Sequence, residues 1–232
     1  MGLDFLILGV HRCGTTSLTD YLGAHPQVQL PRIKELNILN KEGLYSRGQS
    51  YYEAHINTLK PGLHFEGTVG YYEHYLVPFR VKRWYPDCKF IILFRDPVTR
   101  AYSAYWQTPA IDPYTKSASD FAERVRVALK KEYQTGFLER GKYWMPLAHW
   151  WELFPKERFL LIKSEDMFAN PDKIYHEAQD FLGIERFSLE KYGKSYARAK
   201  GAMPEEIVGP LQKYFKPAND HFYTLTGIEW GY

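Results

Sequence analysis

Cysteine is scarce. The 232 residues hold only two, Cys13 and Cys88, too few for a disulfide framework and not at the spacing of a zinc site. A reducing compartment is the expectation, and the chain reads as cytoplasmic. No run of 18 apolar residues occurs, so no transmembrane segment is expected, and the first apolar strand runs straight into a glycine loop without a basic leader or cleavage site. An excess of one charge is missing too: 30 Lys plus Arg stand against 27 Asp plus Glu, a net charge of +3. A site for anions must then come from local clustering rather than from a global field. With no basic stripe and no reading motif, nucleic acid is not expected as a partner. His64 and His74 lack companion ligands, so no metal is expected. Repeats, low-complexity stretches and linkers are absent, and the chain, 1–232, reads as a single domain. Nothing in the sequence fixes an oligomeric state.

Aromatic residues are plentiful, at 17% with 19 Tyr and 6 Trp. They suit a large core or a groove for sugars and flat apolar groups. Residues 5–8, Phe-Leu-Ile-Leu, form the continuous apolar run of a parallel strand buried on both faces. A loop from Gly9 to Thr16 comes next, then helical spacing at Leu18 and Leu22. Lys89–Phe94 repeats the strand pattern and ends in Arg95-Asp96-Pro97, where Asp96 can cap a helix that starts at Pro97 and reaches Trp106. Phe159–Lys163 is a third strand, and residues 65–68 end a short fourth after the Lys60-Pro61-Gly62 turn. Further helices are expected over 119–133, Trp144–Leu153, Pro171–Leu182 with Asn170 as its cap, and 204–215, with the tail at 221–225 packing back. This alternation predicts an α/β fold: a P-loop-like three-layer sandwich whose central parallel sheet of about four or five strands is flanked by helices, with ligands at the C-terminal strand edge.

Gly9-x4-Gly14-Thr15-Thr16 has the spacing of a nucleotide phosphate loop, with Thr15 in place of the usual Lys. Glycines let backbone amides converge, the helix start adds partial positive charge, and the hydroxyls of Thr15, Thr16 and Ser17 add donors. The missing lysine argues against an ordinary magnesium-dependent triphosphatase. The guanidinium fork of Arg12 suits phosphate or sulfate oxygens. A structural alternative is a tight turn whose threonines cap the helix.

Together with the residues C-terminal to it, the loop resembles that of the sulfotransferase family that uses 3′-phosphoadenosine 5′-phosphosulfate (PAPS). The segment from Gly9 to Leu18, with His25-Pro26 after it, is similar to the family's 5′-phosphosulfate loop, and Phe94-Arg95-Asp96-Pro97 through Ser103 to its 3′-phosphate motif. Lys34-Glu35-Leu36-Asn37 resembles the element that carries the general base in glycan-modifying members. Weaker likenesses occur in family order: the stretch from Phe65 to Tyr71 on the substrate side, Arg140-Gly141-Lys142-Tyr143 with Trp150, the loop Arg198-Ala199-Lys200-Gly201 over the nucleotide, and the tail from Phe222 to Trp230. The chain departs from the pattern in two places. Arg12 stands where glycan-modifying members usually have Lys, as it does in protein-tyrosine-modifying members, and Ala202 stands where the late loop commonly has Arg.

The resemblance implies sulfuryl transfer from PAPS to an acceptor hydroxyl, leaving 3′-phosphoadenosine 5′-phosphate (PAP), with no metal. It places Arg12, Cys13, Gly14, Thr15, Thr16 and Ser17 around the 5′-phosphosulfate, Arg95 and Ser103 at the 3′-phosphate, and Arg198, Lys200 and Gly201 over the nucleotide. Glu35 is the candidate base, with Lys34 and Arg12 countering charge and His11 as the rival base. Glu66 and Thr68 are candidates for binding the acceptor or holding Lys34, with ordinary hydrogen bonding as the alternative, and Tyr71, Tyr72 and Trp106 are candidates for the acceptor side, with core packing as the alternative. A glycan, lipid, phenol or small natural product remains open as acceptor. A nucleotide kinase with an unusual loop and a catalytically inactive nucleotide-binding or protein-interaction module are the competing readings.

Overall fold

The computed structural model describes residues 2–31, 33–56, 61–107, 121–130, 136–193 and 202–232. The chain opens with β1 (Phe5–Gly9), α1 (Thr15–Gly23), β2 (Val28–Gln29), α2 (Glu42–Tyr45), α3 (Gln49–Ile56) and β3 (Leu63–Glu66). It continues through α4 (Val77–Trp84), β4 (Lys89–Phe94), α5 (Pro97–Gln107), α6 (Phe121–Lys130), α7 (Gly136–Glu139) and α8 (Trp144–Leu153). The last elements are β5 (Phe159–Lys163), α9 (Ser164–Ala169), α10 (Pro171–Leu182) and α11 (Val208–Thr226). Two compact units result, one from Met1–Phe94 with Pro146–Ser195, the other from Arg95–Met145 with Tyr196–Tyr232.

The first unit is built on a five-stranded sheet in the order β2-β3-β1-β4-β5, with every pairing parallel. Central strands of such a sheet are covered on both faces, which is why β1 and β4 carry continuous apolar runs: Phe5 to Leu8 and Phe90 to Phe94 are all 0% exposed. Helix α1 packs on β1, α3 on β3 and α10 on β5, giving the expected α/β sandwich with helices flanking a parallel sheet. Between Ile7 and Gly9 the β1–β4 register shifts, and this irregularity turns the chain out of the strand into the glycine loop.

The second unit holds its own apolar cluster. Val98 and Ala101 of α5, Phe121 and Val125 of α6, Leu138 of α7, and Leu211 and Phe215 of α11 are buried together. Asp96 caps α5 as expected, its carboxylate accepting the amides of Val98 at 3.2 Å and Thr99 at 3.1 Å.

Several sequence expectations need correction. The strand β2 has only two residues, too short for a periodic signal. Helix α6 spans Phe121–Lys130, and the remainder of the expected 119–133 lies outside the described residues. Asn170 precedes α10 but makes no side-chain cap bond; only its carbonyl serves, accepting the Ile174 amide at 3.2 Å. The helix expected over 204–215 begins at Val208 and runs to Thr226 straight through Pro217. Proline costs that helix one hydrogen bond, yet the buried stripe Leu211, Phe215, Ala218 and Phe222 continues past it at helical spacing. The tail at 221–225 is therefore helix.

Trp150 of α8 is fully buried, its ring 5.0 Å and 6.0 Å from the rings of Phe90 and Phe154, and its indole N–H donates to the Tyr72 carbonyl at 3.1 Å. Replacing it leaves a cavity and removes the indole donor to the Tyr72 carbonyl. Trp150→Ala is expected to cost about 3–5 kcal/mol of stability, read as a lowered urea midpoint; a midpoint equal to wild type would show that the site collapses without loss.

Candidate active site

At the end of β1 the backbone turns sharply. Gly9 sits at φ 141°, Arg12 at 72° and Gly14 at 90°. The Val10 amide bonds the Leu93 carbonyl at 2.9 Å, which ties the loop to the end of β4, and the Cys13 amide returns to the Val10 carbonyl at 3.2 Å. From the end of β5, Ser164 donates its buried hydroxyl to the Cys13 carbonyl at 2.6 Å. A Cβ on Gly14 would lie 2.6 Å from Met167 Cε and 2.8 Å from Phe168 Cζ, so α9 leaves room only for glycine. Helix α1 starts immediately at Thr15. Its first-turn amides have no acceptor within the helix and, with the helix dipole, form a natural anion cradle.

Lys34 and Glu35 approach that cradle from the segment after β2. The Lys34 ammonium donates to the Thr16 hydroxyl, and desolvation there lowers its pKa below the usual value, against the opposing pull of Glu35 and Asp20. Glu35 is exposed, with φ 56°, and Asn37 has φ 54°. Left-handed backbone costs a residue with a Cβ about 1–2 kcal/mol, so two such residues within three positions require support. Asn37 supplies part of it by donating its side-chain amide to the Glu35 carbonyl at 2.7 Å. Asparagine is also among the residues most tolerant of this conformation.

More support comes from β3 and the single turn after it. Glu66, the last residue of β3, is 0% exposed, and its Oε1 accepts the Leu36 amide at 3.1 Å and the Thr68 hydroxyl. The Thr68 hydroxyl accepts the Asn37 amide at 3.3 Å. The Tyr71 hydroxyl accepts the amides of Ile38 and Leu39, each at 3.1 Å. Burial raises the Glu66 carboxyl to about 7, against lowering contributions from the hydrogen bonds of Thr68, Leu36 and Tyr71. Its Oε2 is buried without a hydrogen-bond partner.

Of the residues singled out in the sequence, the structure thus sets Arg12, Cys13 and Gly14 in the loop and Thr15, Thr16 and Ser17 in the first turn of α1, joins Lys34 to Thr16, and sets Glu66, Thr68 and Tyr71 beneath the segment that carries Glu35. His11 is half-buried in the loop, whereas Tyr72 is buried with its ring 5.8 Å from that of Phe94. In the second unit Arg95 precedes α5, with its Nε on the Thr99 hydroxyl at 3.2 Å and its carbonyl accepting the Tyr143 hydroxyl at 2.8 Å. Ser103 and Trp106 are half-buried farther along the same helix, and the Trp106 ring lies 5.1 Å from that of Tyr105. Arg198, Lys200 and Gly201 lie outside the described residues. Sequence reasoning passed over Ser164 and gave Asn37 no role of its own. Ser164 left only the signal of standing directly after a buried strand. Among the described residues no group of three or more His, Cys, Asp or Glu side chains could hold a metal ion, and no helix is long and apolar enough to cross a membrane.

The family described as "Sulfotransferase domain" matches residues 3–207. Human heparan sulfate glucosamine 3-O-sulfotransferase 6 is 29% identical over 252 aligned positions, covering 98% of this chain and 72% of that protein. Mouse heparan sulfate glucosamine 3-O-sulfotransferase 3B1 is 28% identical, covering 98% of this chain and 64% of that protein. Among solved structures, a sulfotransferase from Alicyclobacillus acidocaldarius superposes with a TM-score of 0.78 at 22% identity, covering 99% of this chain and 98% of that one. A mouse sulfotransferase complexed with PAP shares the fold at a TM-score of 0.53 and 18% identity, covering 91% of this chain and 62% of that one.

Glu66 makes stability depend on pH in a definite direction. Its folded-state carboxyl titrates near 7 rather than near the ordinary 4.5, so between those values the folded chain holds a proton that the unfolded chain has released. The stability it confers is complete below about pH 4.5 and is lost as pH rises through 7, about 3 kcal/mol in all. Glu66→Gln, which cannot ionise, is expected to flatten the decline in urea midpoint across that window. An unchanged slope in the variant would assign the pH dependence to other groups.

Proposed function

This chain belongs to the sulfotransferase domain family, and we propose how its own residues carry the reaction. The protein transfers a sulfuryl group from PAPS to an acceptor hydroxyl. One observation carries our assignment of roles: the Lys34 ammonium rests on the Thr16 hydroxyl, which brings the Lys34-Glu35 segment to the anion cradle at the start of α1.

The cradle fits the 5′ end of the donor. The α1 N-terminus offers amides, and Arg12 and Lys34 offer charged donors. When bound, PAPS supplies a sulfuryl group on an activated phosphosulfate bridge. Glu35 accepts the proton of the acceptor hydroxyl as that oxygen bonds to sulfur and the sulfur–bridge oxygen bond breaks. Arg12, Lys34 and the amides of Gly14, Thr15, Thr16 and Ser17 stabilise the negative charge that collects on the departing phosphate. With that much positive charge supplied by the protein, the mechanism gives no role to a metal. The Cys13 carbonyl, fixed by Ser164, keeps the loop in shape. By family likeness Arg95 and Ser103 are the candidates for the 3′-phosphate, and Arg198, Lys200 and Gly201, which lie outside the described residues, are the candidates for the rest of the nucleotide.

The acceptor we favour is a sugar hydroxyl. In support, the human and mouse relatives are glycan sulfotransferases, and Lys34-Glu35 resembles the element that carries the base in glycan-modifying members. Trp106 is the remaining aromatic candidate for acceptor contact; the buried Glu66, Thr68, Tyr71 and Tyr72 serve better as supports. We treat the chain as one functional domain. Cys13 and Cys88, both buried and too few for a disulfide framework, favour a cytoplasmic setting.

Glu35→Gln is expected to lower kcat at least 100-fold, the usual range for losing a general base, with PAP affinity by calorimetry within about threefold of wild type. His11→Asn should retain activity within about tenfold. Full turnover by Glu35→Gln on a desulfated glycan, or a larger loss from His11→Asn, would transfer the base role away from Glu35.

A further inference from the structure

Four consecutive backbone amides, those of Leu36, Asn37, Ile38 and Leu39, are accepted by three side chains that succeed one another along β3 and its exit turn: Glu66, Thr68 and Tyr71. Four amides in a row without backbone partners would not hold an irregular segment in place. The three side chains act as a substitute strand. They also bind one another, since Thr68 donates to Glu66 and the Tyr71 hydroxyl interacts with both. All three are buried, Glu66, Thr68 and Tyr71 each at 0% exposure, so the network is fixed by the surrounding core while the residue it presents, Glu35, faces solvent.

We propose that Glu66, Thr68 and Tyr71 are positioning residues for sulfuryl transfer, a side-chain clamp that holds residues 35–39 so that Glu35 keeps its left-handed backbone and points its carboxylate toward the acceptor. This rests on Glu35 being the general base. Glu66 is the keystone because its Oε1 grips the amide directly after Glu35. A carboxylate buried to this degree at the end of a strand is otherwise a destabilising choice, and an apolar residue would fill the space without that cost. The two carboxylates also divide the labour. Burial favours a proton on Glu66 near neutrality, and its unpartnered Oε2 is the oxygen able to carry it. That leaves Glu35 without a second full negative charge beneath it, the arrangement by which paired carboxyl groups take separate roles. A glutamine at position 66 reproduces this protonated form, with an amide oxygen for the Leu36 N–H and an NH2 group in place of the O–H.

The test compares Glu66→Ala, Glu66→Gln and Tyr71→Phe in the full chain by two independent readouts. Amide hydrogen exchange at residues 36–39 reports the clamp without reference to chemistry. Steady-state kinetics with PAPS and a desulfated glycan report positioning. Glu66→Ala and Tyr71→Phe are expected to speed exchange at 36–39 at least tenfold and to lower kcat about 10- to 100-fold with KM for PAPS within about threefold, the signature of a misplaced group rather than lost binding. Glu66→Gln should restore both readouts to within about threefold of wild type. If Glu66→Ala does not fold, Tyr71→Phe, which removes one oxygen, decides alone. Unchanged exchange in Tyr71→Phe, faster exchange with unchanged kcat, or equal defects in Glu66→Ala and Glu66→Gln would each overturn the proposal. If Glu35→Gln turns over normally while the exchange results hold, the clamp exists and the base assignment is what fails.

Discussion

Everything at this site depends on backbone held where side-chain-bearing residues rarely go. Arg12, Glu35 and Asn37 are the non-glycine residues with positive φ among those described, and all three stand in the two segments to which the chemistry is assigned. Each carries a penalty of about 1–2 kcal/mol. Such strain persists only where the surroundings over-determine it. Around Arg12 the determinants are the Leu93 carbonyl, the Ser164 hydroxyl and the α9 side chains packed against Gly14; around Glu35 and Asn37 they are Glu66, Thr68 and Tyr71.

The parallel sheet explains why these supports can exist. β1 lies between β3 and β4, so the loop leaving β1 has the exits of β3 and β4 on either side, and β5 comes beyond β4. Ser164 reaches the loop from the end of β5, the Leu93 carbonyl lies near the end of β4, and Glu66 closes β3. The C-terminal strand edge is where open α/β sheets bind ligands. In this chain the same edge supplies groups that brace the glycine loop and the segment at 35–39, two of them the buried polar side chains of Glu66, which ends β3, and Ser164, which follows β5.

Much of this was legible in the residues themselves. The apolar runs of β1, β4 and β5 needed no tertiary information, and the Gly9–Gly14 spacing marked the sharp strand-to-helix turn because both positions take a backbone conformation that suits glycine. The stripe Leu211, Phe215, Ala218 and Phe222 is equally present in the sequence and carries the helix past Pro217, because packing overrides a single proline. Glu66, Thr68 and Tyr71 stood out as polar and aromatic residues beside a strand, and the acceptor side was a reasonable place to put them. Their bonds to residues 36–39 span about thirty positions of sequence, and no local pattern encodes such a partner. Asn37 is a similar case: its amide side chain suits a left-handed residue, but nothing in the string of letters says that the chain must turn there.

If this edge is shaped for the donor before the donor arrives, a crystal structure of the chain with PAP will show the 5′-phosphate within hydrogen-bonding distance of the first-turn amides of α1, with Arg12 and Glu35 still at positive φ and the 36–39 amides still on Glu66, Thr68 and Tyr71. A phosphate bound elsewhere, or a segment at 35–39 that has relaxed to ordinary backbone angles and left those three side chains, would contradict it.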